Sequence, residues 1–128
     1  EEKKRILIVE DESIIAMSLQ TILEMSGYDV CKPLSTGEQA LEKVEEERPD
    51  LVIMDIVLAG RTNGVEAAKQ IRSRYDIPVI FITGFDDEDL LKDAEQVKSS
   101  LLLLKPFGPD DIEVAIDSIL NGHKSDDR

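Results

Sequence analysis

Apolar residues follow two rhythms along this chain. The first is the short unbroken run: Ile6-Leu7-Ile8-Val9, Leu51-Val52-Ile53-Met54, Val79-Ile80-Phe81-Ile82 behind Pro78, and Leu101 to Leu104. Apolar runs of this length predict strands buried on both faces, as in a parallel sheet. The second is helical spacing, seen in Ile15, Leu19, Ile22 and Leu23, then Ala40, Leu41 and Val44, then Val65, Ala68 and Ile71. It returns in Ile112, Ala115, Ile116, Ile119 and Leu120. A further helix is expected from Asp86 through Val97, and Tyr28 to Leu34 reads as a less buried strand. Pro33 near the end of that strand fits a sheet edge.

Punctuation between the segments supports these elements. Gly27 is placed to cap the first helix, and Asn121-Gly122 to end the last. Ser35 with Glu38, and Asn63 with Glu66, have the spacing of capping boxes. Asp86 with Asp89 opens the fourth helix, and Pro109 suits the first turn of the fifth. The order is strand then helix, five times over. Such alternation forces parallel strands, right-handed crossovers and helices on both faces. The expected fold is therefore α/β, a flavodoxin-like doubly wound sheet of five strands in the order 2-1-3-4-5 with five helices.

The chain has 128 residues, suiting one domain. That domain is expected over 1–121, with 122–128 a flexible tail or the start of a linker; Glu1 to Lys4 is a charged, frayed start. Aromatics make up only 4%, so the core is aliphatic. A net charge of −13 argues against direct binding of nucleic acid, whose phosphates need a basic footprint. No apolar run nears the roughly 20 residues that span a bilayer. The single Cys31 forms no internal disulfide, and a reducing, cytoplasmic setting is expected. Cys31 reads as a packing residue and His123 as a solvated tail residue.

The chemistry lies at the carboxyl ends of the strands. Glu10 and Asp11 end the first strand, Asp55 the third, Thr83 the fourth and Lys105 the fifth. In a doubly wound sheet, ligands bind outside these ends, at the switch point between the first and third strands. One strand-end Asp is often only a helix cap; four such features on one rim are hard to assign to structure alone. Converging carboxylates repel, and a cation relieves them. Hard oxygen donors open to solvent suit Mg²⁺. Asp55 can then attack a phosphoryl group to give an acyl phosphate, with Lys105 and the Thr83 hydroxyl on the phosphoryl oxygens.

At these residues the sequence resembles the receiver domain of two-component response regulators. The motifs Ile-Leu-Ile-Val-Glu-Asp, Leu-Val-Ile-Met-Asp, Ile-Thr-Gly and Leu-Lys-Pro-Phe occur in order and at family spacing, over residues 5 to about 121. The resemblance implies Asp55 as phosphoacceptor, fed by a sensor histidine kinase or phosphotransfer protein. Such a domain assists its own phosphorylation and slow dephosphorylation rather than acting as an enzyme. It implies Mg²⁺ on Asp11, Asp55 and the Val57 backbone carbonyl, with Glu10 holding a metal-bound water. It implies Thr83 and Lys105 on the phosphoryl oxygens, and a cis Lys105-Pro106 bond. A homodimer through the fourth helix, fifth strand and fifth helix is a further candidate, and the output domain or effector is unknown.

Three departures from the family pattern stand out. Glu10 replaces the frequent Asp. Ala59 stands where Pro is usual, and Gly64 falls nine residues after Asp55 rather than eight, so the loop is one residue longer. Leu102 stands three before Lys105, where the family usually has Tyr or Phe. Without that aromatic, the output face is expected to change less on phosphorylation, or by another route. Val57 and Phe85, both apolar, occupy positions that tune access of hydrolytic water, so a long-lived phosphoryl group is expected.

Rival functions fit less well. An aspartyl-nucleophile phosphatase usually has a second Asp two residues on, where Val57 stands. A flavin module needs stacking aromatics. A phosphorylation-independent pseudo-receiver usually lacks the acidic pair, the phosphoacceptor or the lysine, and all are present here.

Overall fold

The computed structural model describes residues 3–84 and 88–121. The expectations for Phe85, Asp86, His123 and the two termini lie outside the described residues. The strands are β1 (Arg5–Val9), β2 (Asp29–Val30), β3 (Leu51–Asp55), β4 (Val79–Thr83) and β5 (Ser100–Leu104). The helices are α1 (Ser13–Met25), α2 (Gly37–Glu47), α3 (Gly64–Arg74), α4 (Glu88–Glu95) and α5 (Pro109–Leu120). All strand pairs are parallel and the order is β2-β1-β3-β4-β5, as expected.

Successive side chains of a strand point to opposite faces, so each run feeds two cores. Leu7, Val9, Val52, Met54, Val79 and Phe81 pack against α2, α3 and α4. Ile6, Ile8, Leu51, Ile53, Ile80 and Ile82 pack against α1 and α5. β3 and β4 are buried at every position.

Four expectations need correction. The second strand is shorter than Tyr28 to Leu34. Only Asp29–Val30 enters the ladder, with an isolated bridge between Val9 and Leu34. Pro33 has no N–H to give, so the pairing breaks there and resumes when the Leu34 amide donates to Ile8. The α2 cap sits one residue later than Ser35 with Glu38. Thr36 accepts from the Gln39 amide at 3.1 Å, and Gln39 accepts from the Thr36 amide at 3.2 Å. The fourth helix ends at Glu95, short of Val97. The run Leu101 to Leu104 is only half-buried, and Leu104 is exposed. Among the described residues it is the outer strand of the sheet, covered by α4 and α5 with no strand paired on its far side.

Other boundaries hold. Asn63 caps α3 by accepting from the Glu66 amide at 2.9 Å. Gly27 follows α1 in the left-handed region, and Pro109 opens α5.

Candidate functional site

β1, β3 and β4 end side by side, and each delivers a polar group to the same rim. Glu10 follows β1, Asp55 ends β3 and Thr83 ends β4. These three are the buried polar or charged side chains among the described residues. Lys105 follows β5, and its backbone amide donates to the Thr83 carbonyl at 2.8 Å. The Lys105-Pro106 bond is cis. Five of the six predicted site residues, Asp11, Asp55, Val57, Thr83 and Lys105, line one open cavity of about 520 Å³. Leu90 and Leu91 of α4 lie along it. The sixth, Glu10, reaches the cluster through Lys105.

Lys105 is the electrostatic centre. Its Nζ lies 3.0 Å from Asp55 Oδ2, 3.1 Å from Glu10 Oε1 and 3.3 Å from Glu12 Oε1. Burial alone would lower the Lys105 pKa, but Asp55 and Glu10 outweigh it and raise it above the ordinary range. Asp55 is fixed from its other oxygen too, where the Val57 amide donates to Oδ1 at 3.0 Å. Its carboxylate rotamer is thus set before any partner arrives.

Glu10 is the strained member. Burial pushes its carboxyl up to about 7, and the nearby Asp55 charge adds to the rise. Its Oε2 accepts from the Glu12 amide at 2.9 Å. Its Oε1 is buried and accepts no hydrogen bond; the Lys105 contact there is Coulombic, without hydrogen-bond geometry. A buried carboxylate oxygen left in this way is costly. Glu10, Asp11 and Asp55 also offer oxygens within 4.8 Å of one another, with Asp11 open to solvent. This set of hard donors, with one buried oxygen short of a hydrogen bond, fits a divalent cation of the Mg²⁺ class.

Sequence reading missed Glu12. Its side chain reaches Lys105 and its amide holds Glu10, so it shapes the cluster twice. The only sequence signal is its place directly after the acidic pair.

Behind β3, the chain must return to α3 through 56–63. Gly64 makes this possible: a Cβ there would fall on the Asp55 carbonyl oxygen. Its amide donates to the Ile56 carbonyl at 2.8 Å. This close approach falls at Gly64, nine residues after Asp55.

Comparison with known proteins gives consistent matches. The model of the response regulator receiver domain matches residues 6–117. The chain is similar to the transcriptional regulatory protein PdtaR of Mycobacterium tuberculosis, 37% identical over 114 residues, covering 89% of this chain and 55% of that protein. It is also similar to the alkaline phosphatase synthesis transcriptional regulatory protein PhoP of Bacillus subtilis, 37% identical over 118 residues, covering 91% and 48%. The chain thus spans about half the length of these relatives. Among solved structures, the signal receiver domain of a modulated diguanylate cyclase from Desulfovibrio desulfuricans G20 superposes with a TM-score of 0.88 at 32% identity, covering 98% of this chain and 99% of that one.

Proposed function

The chain belongs to the response regulator receiver family, and from that premise we propose that Asp55 accepts a phosphoryl group, with Mg²⁺, from the phosphohistidine of a sensor kinase or phosphotransfer protein. The observation that carries this reading is the Asp55 carboxylate. It is buried at a strand end, held by Lys105 at 3.0 Å, and grouped with Glu10 and Asp11.

In the proposed step an Asp55 carboxylate oxygen forms the new P–O bond as the P–N bond of the donor breaks. The nitrogen leaves with the bonding pair. Asp11, Asp55 and the Val57 carbonyl would hold the metal, with Glu10 acting through a water. Bound there, Mg²⁺ would offset charge on the transferring phosphoryl group. Lys105 is already poised to turn from Asp55 to a phosphoryl oxygen, and the buried Thr83 hydroxyl stands on the same wall. The chain acts as a phosphoacceptor that assists its own phosphorylation rather than as an enzyme with separate substrate turnover. Val57 is apolar, 61% exposed and in the lining of the site cavity, at the position that the family resemblance links to access of hydrolytic water. This supports a long-lived acyl phosphate; loss of the group within seconds without a phosphatase would contradict that lifetime.

Phosphorylation then changes which partner the surface binds. Leu104 and Val114 expose apolar surface on β5 and α5, which supports the homodimer expected through α4, β5 and α5. The test of the core reading is incubation with acetyl phosphate and Mg²⁺, read by intact mass. Addition of one phosphoryl group to the chain, and none to Asp55→Asn, is the expected result. An Asp55→Asn chain that gains the group equally overturns it.

A further inference from the structure

The loop 56–63 carries Val57, yet it has no proline and passes through Gly60 in the left-handed region, at φ 93°. Such a segment is free to wander unless something ties it. The tie is on α2. Glu38 Oε2 accepts from the Arg61 amide, the Thr62 amide and the Thr62 hydroxyl, each at 3.1 Å. One bridge and two close backbone approaches mark the same seam. Thr36 bridges Ala59 in parallel register. A Cβ on Gly60 would come within 2.9 Å of Glu38 Oε1. A Cβ on Gly37 would come within 3.0 Å of the Thr62 carbonyl. The shift of the helix cap to Thr36 and Gln39 is what leaves Glu38 available for this task.

We infer that Glu38 is a positioning residue: its carboxylate fixes the path of 56–63 and thereby the place of the Val57 backbone carbonyl beside Asp55. The inference rests on the phosphoacceptor reading, since it is the metal-binding competence of that loop that Glu38 secures. Charge matters here as well as shape. An ionised carboxylate accepts stronger hydrogen bonds than a neutral amide oxygen. The Glu38 carboxyl is held below its ordinary value by its own amide first and by Thr62 and Arg61 next. Three donors on one oxygen leave the other oxygen to face Gly60, so a side chain at 60 would push the clamp apart.

The test uses the full chain with Glu38→Ala and Glu38→Gln, and two readouts. Amide hydrogen exchange follows Arg61 and Thr62, with β3 and α3 as internal controls. Mg²⁺ titration follows the Val57 amide by NMR. In Glu38→Ala, exchange at Arg61 and Thr62 is expected to quicken while β3 stays protected, and Mg²⁺ affinity to fall by about tenfold, as for other residues that orient metal ligands. Glu38→Gln is expected to recover part of both. Unchanged exchange at Arg61 and Thr62 overturns the clamp. Faster exchange with Mg²⁺ affinity unchanged within about twofold overturns the positioning role. Failure of the unsubstituted chain to bind Mg²⁺ at all defeats the phosphoacceptor reading instead, and with it the role assigned to Glu38.

Discussion

The rim of the sheet at β3 and its outer edge at β5 start from the same kind of sequence and end in opposite physical states. Leu51 to Met54 and Leu101 to Leu104 are both four-residue aliphatic runs. β3 lies between β1 and β4, is buried throughout, and drives Asp55 into a packed corner. Among the described residues β5 pairs with β4 alone, and no residue in it is fully buried. Phe81 and Leu102 face each other across the β4–β5 ladder, yet Phe81 is sealed and Leu102 only partly covered. The carboxylate of the proposed chemistry sits on the fully packed strand. The surface proposed to change between states sits on the less packed one. A site is pre-organised by what packs behind it, and a readout is possible where packing is incomplete.

The largest effect that would break this contrast is in the core. Phe81→Ala is expected to cost about 3–5 kcal/mol in denaturant unfolding, as for other buried aromatics. Leu104→Ala on the edge is expected to stay within about 0.5 kcal/mol, as for surface sites. Equal costs would mean that β5 is core after all. Next in size is Lys105→Met. Removing a cation 3.0 Å from Asp55 leaves the acid cluster uncompensated, so Mg²⁺ binding is expected to tighten by about tenfold while phosphoryl uptake slows. Weaker Mg²⁺ binding would show that Lys105 organises the carboxylates rather than competing with the metal.

The third effect follows pH. Glu10 titrates at about 7 in the folded chain, above its ordinary value. Between the ordinary carboxylate range and pH 7, the folded chain therefore holds a proton that the unfolded chain has lost, and stability falls as pH rises through that window. Metal binding must displace the same proton, so Mg²⁺ affinity is expected to rise by up to about tenfold from pH 6 to pH 8. Glu10→Gln should flatten both dependences, which melting curves and NMR titrations at several pH values would report. The smallest effect is on the edge itself. With a phosphoryl mimic bound, amide shifts of Leu102 and Leu104 are expected to be smaller than those of Val57 and Gly84. Shifts on β5 as large as those at the rim would show that the absence of an aromatic at 102 does not mute the relay.

Much of this was legible in the sequence because the signals were redundant. The fold needed only the count and order of apolar runs, and four strand-end features named the rim. What escaped was local. The cap moved from Ser35 to Thr36 because both hydroxyls stand in line, and only the backbone turn decides between them. Leu101 to Leu104 looked buried because an unbroken apolar run reads as core, although the expected order 2-1-3-4-5 already placed the fifth strand at an edge, where flanking helices cover it only in part. Glu12 and Glu38 were invisible as site residues because their importance comes from what they accept or reach across the fold. Glu38 even looked like a capping residue, which hid its bonds to a loop more than twenty residues away.

The central claim is that Asp55 alone, among the 28 acidic residues, carries the phosphoryl group, and that it does so only with the metal. Borohydride reduces an acyl phosphate to an alcohol and so marks the residue that held it. The measurement is therefore borohydride trapping after incubation with acetyl phosphate, with tandem mass spectrometry to locate the reduced residue. The expected result is conversion of Asp55 to homoserine with Mg²⁺ and no conversion when the metal is chelated. Reduction at Asp11, or conversion of Asp55 that persists without metal, would contradict the account.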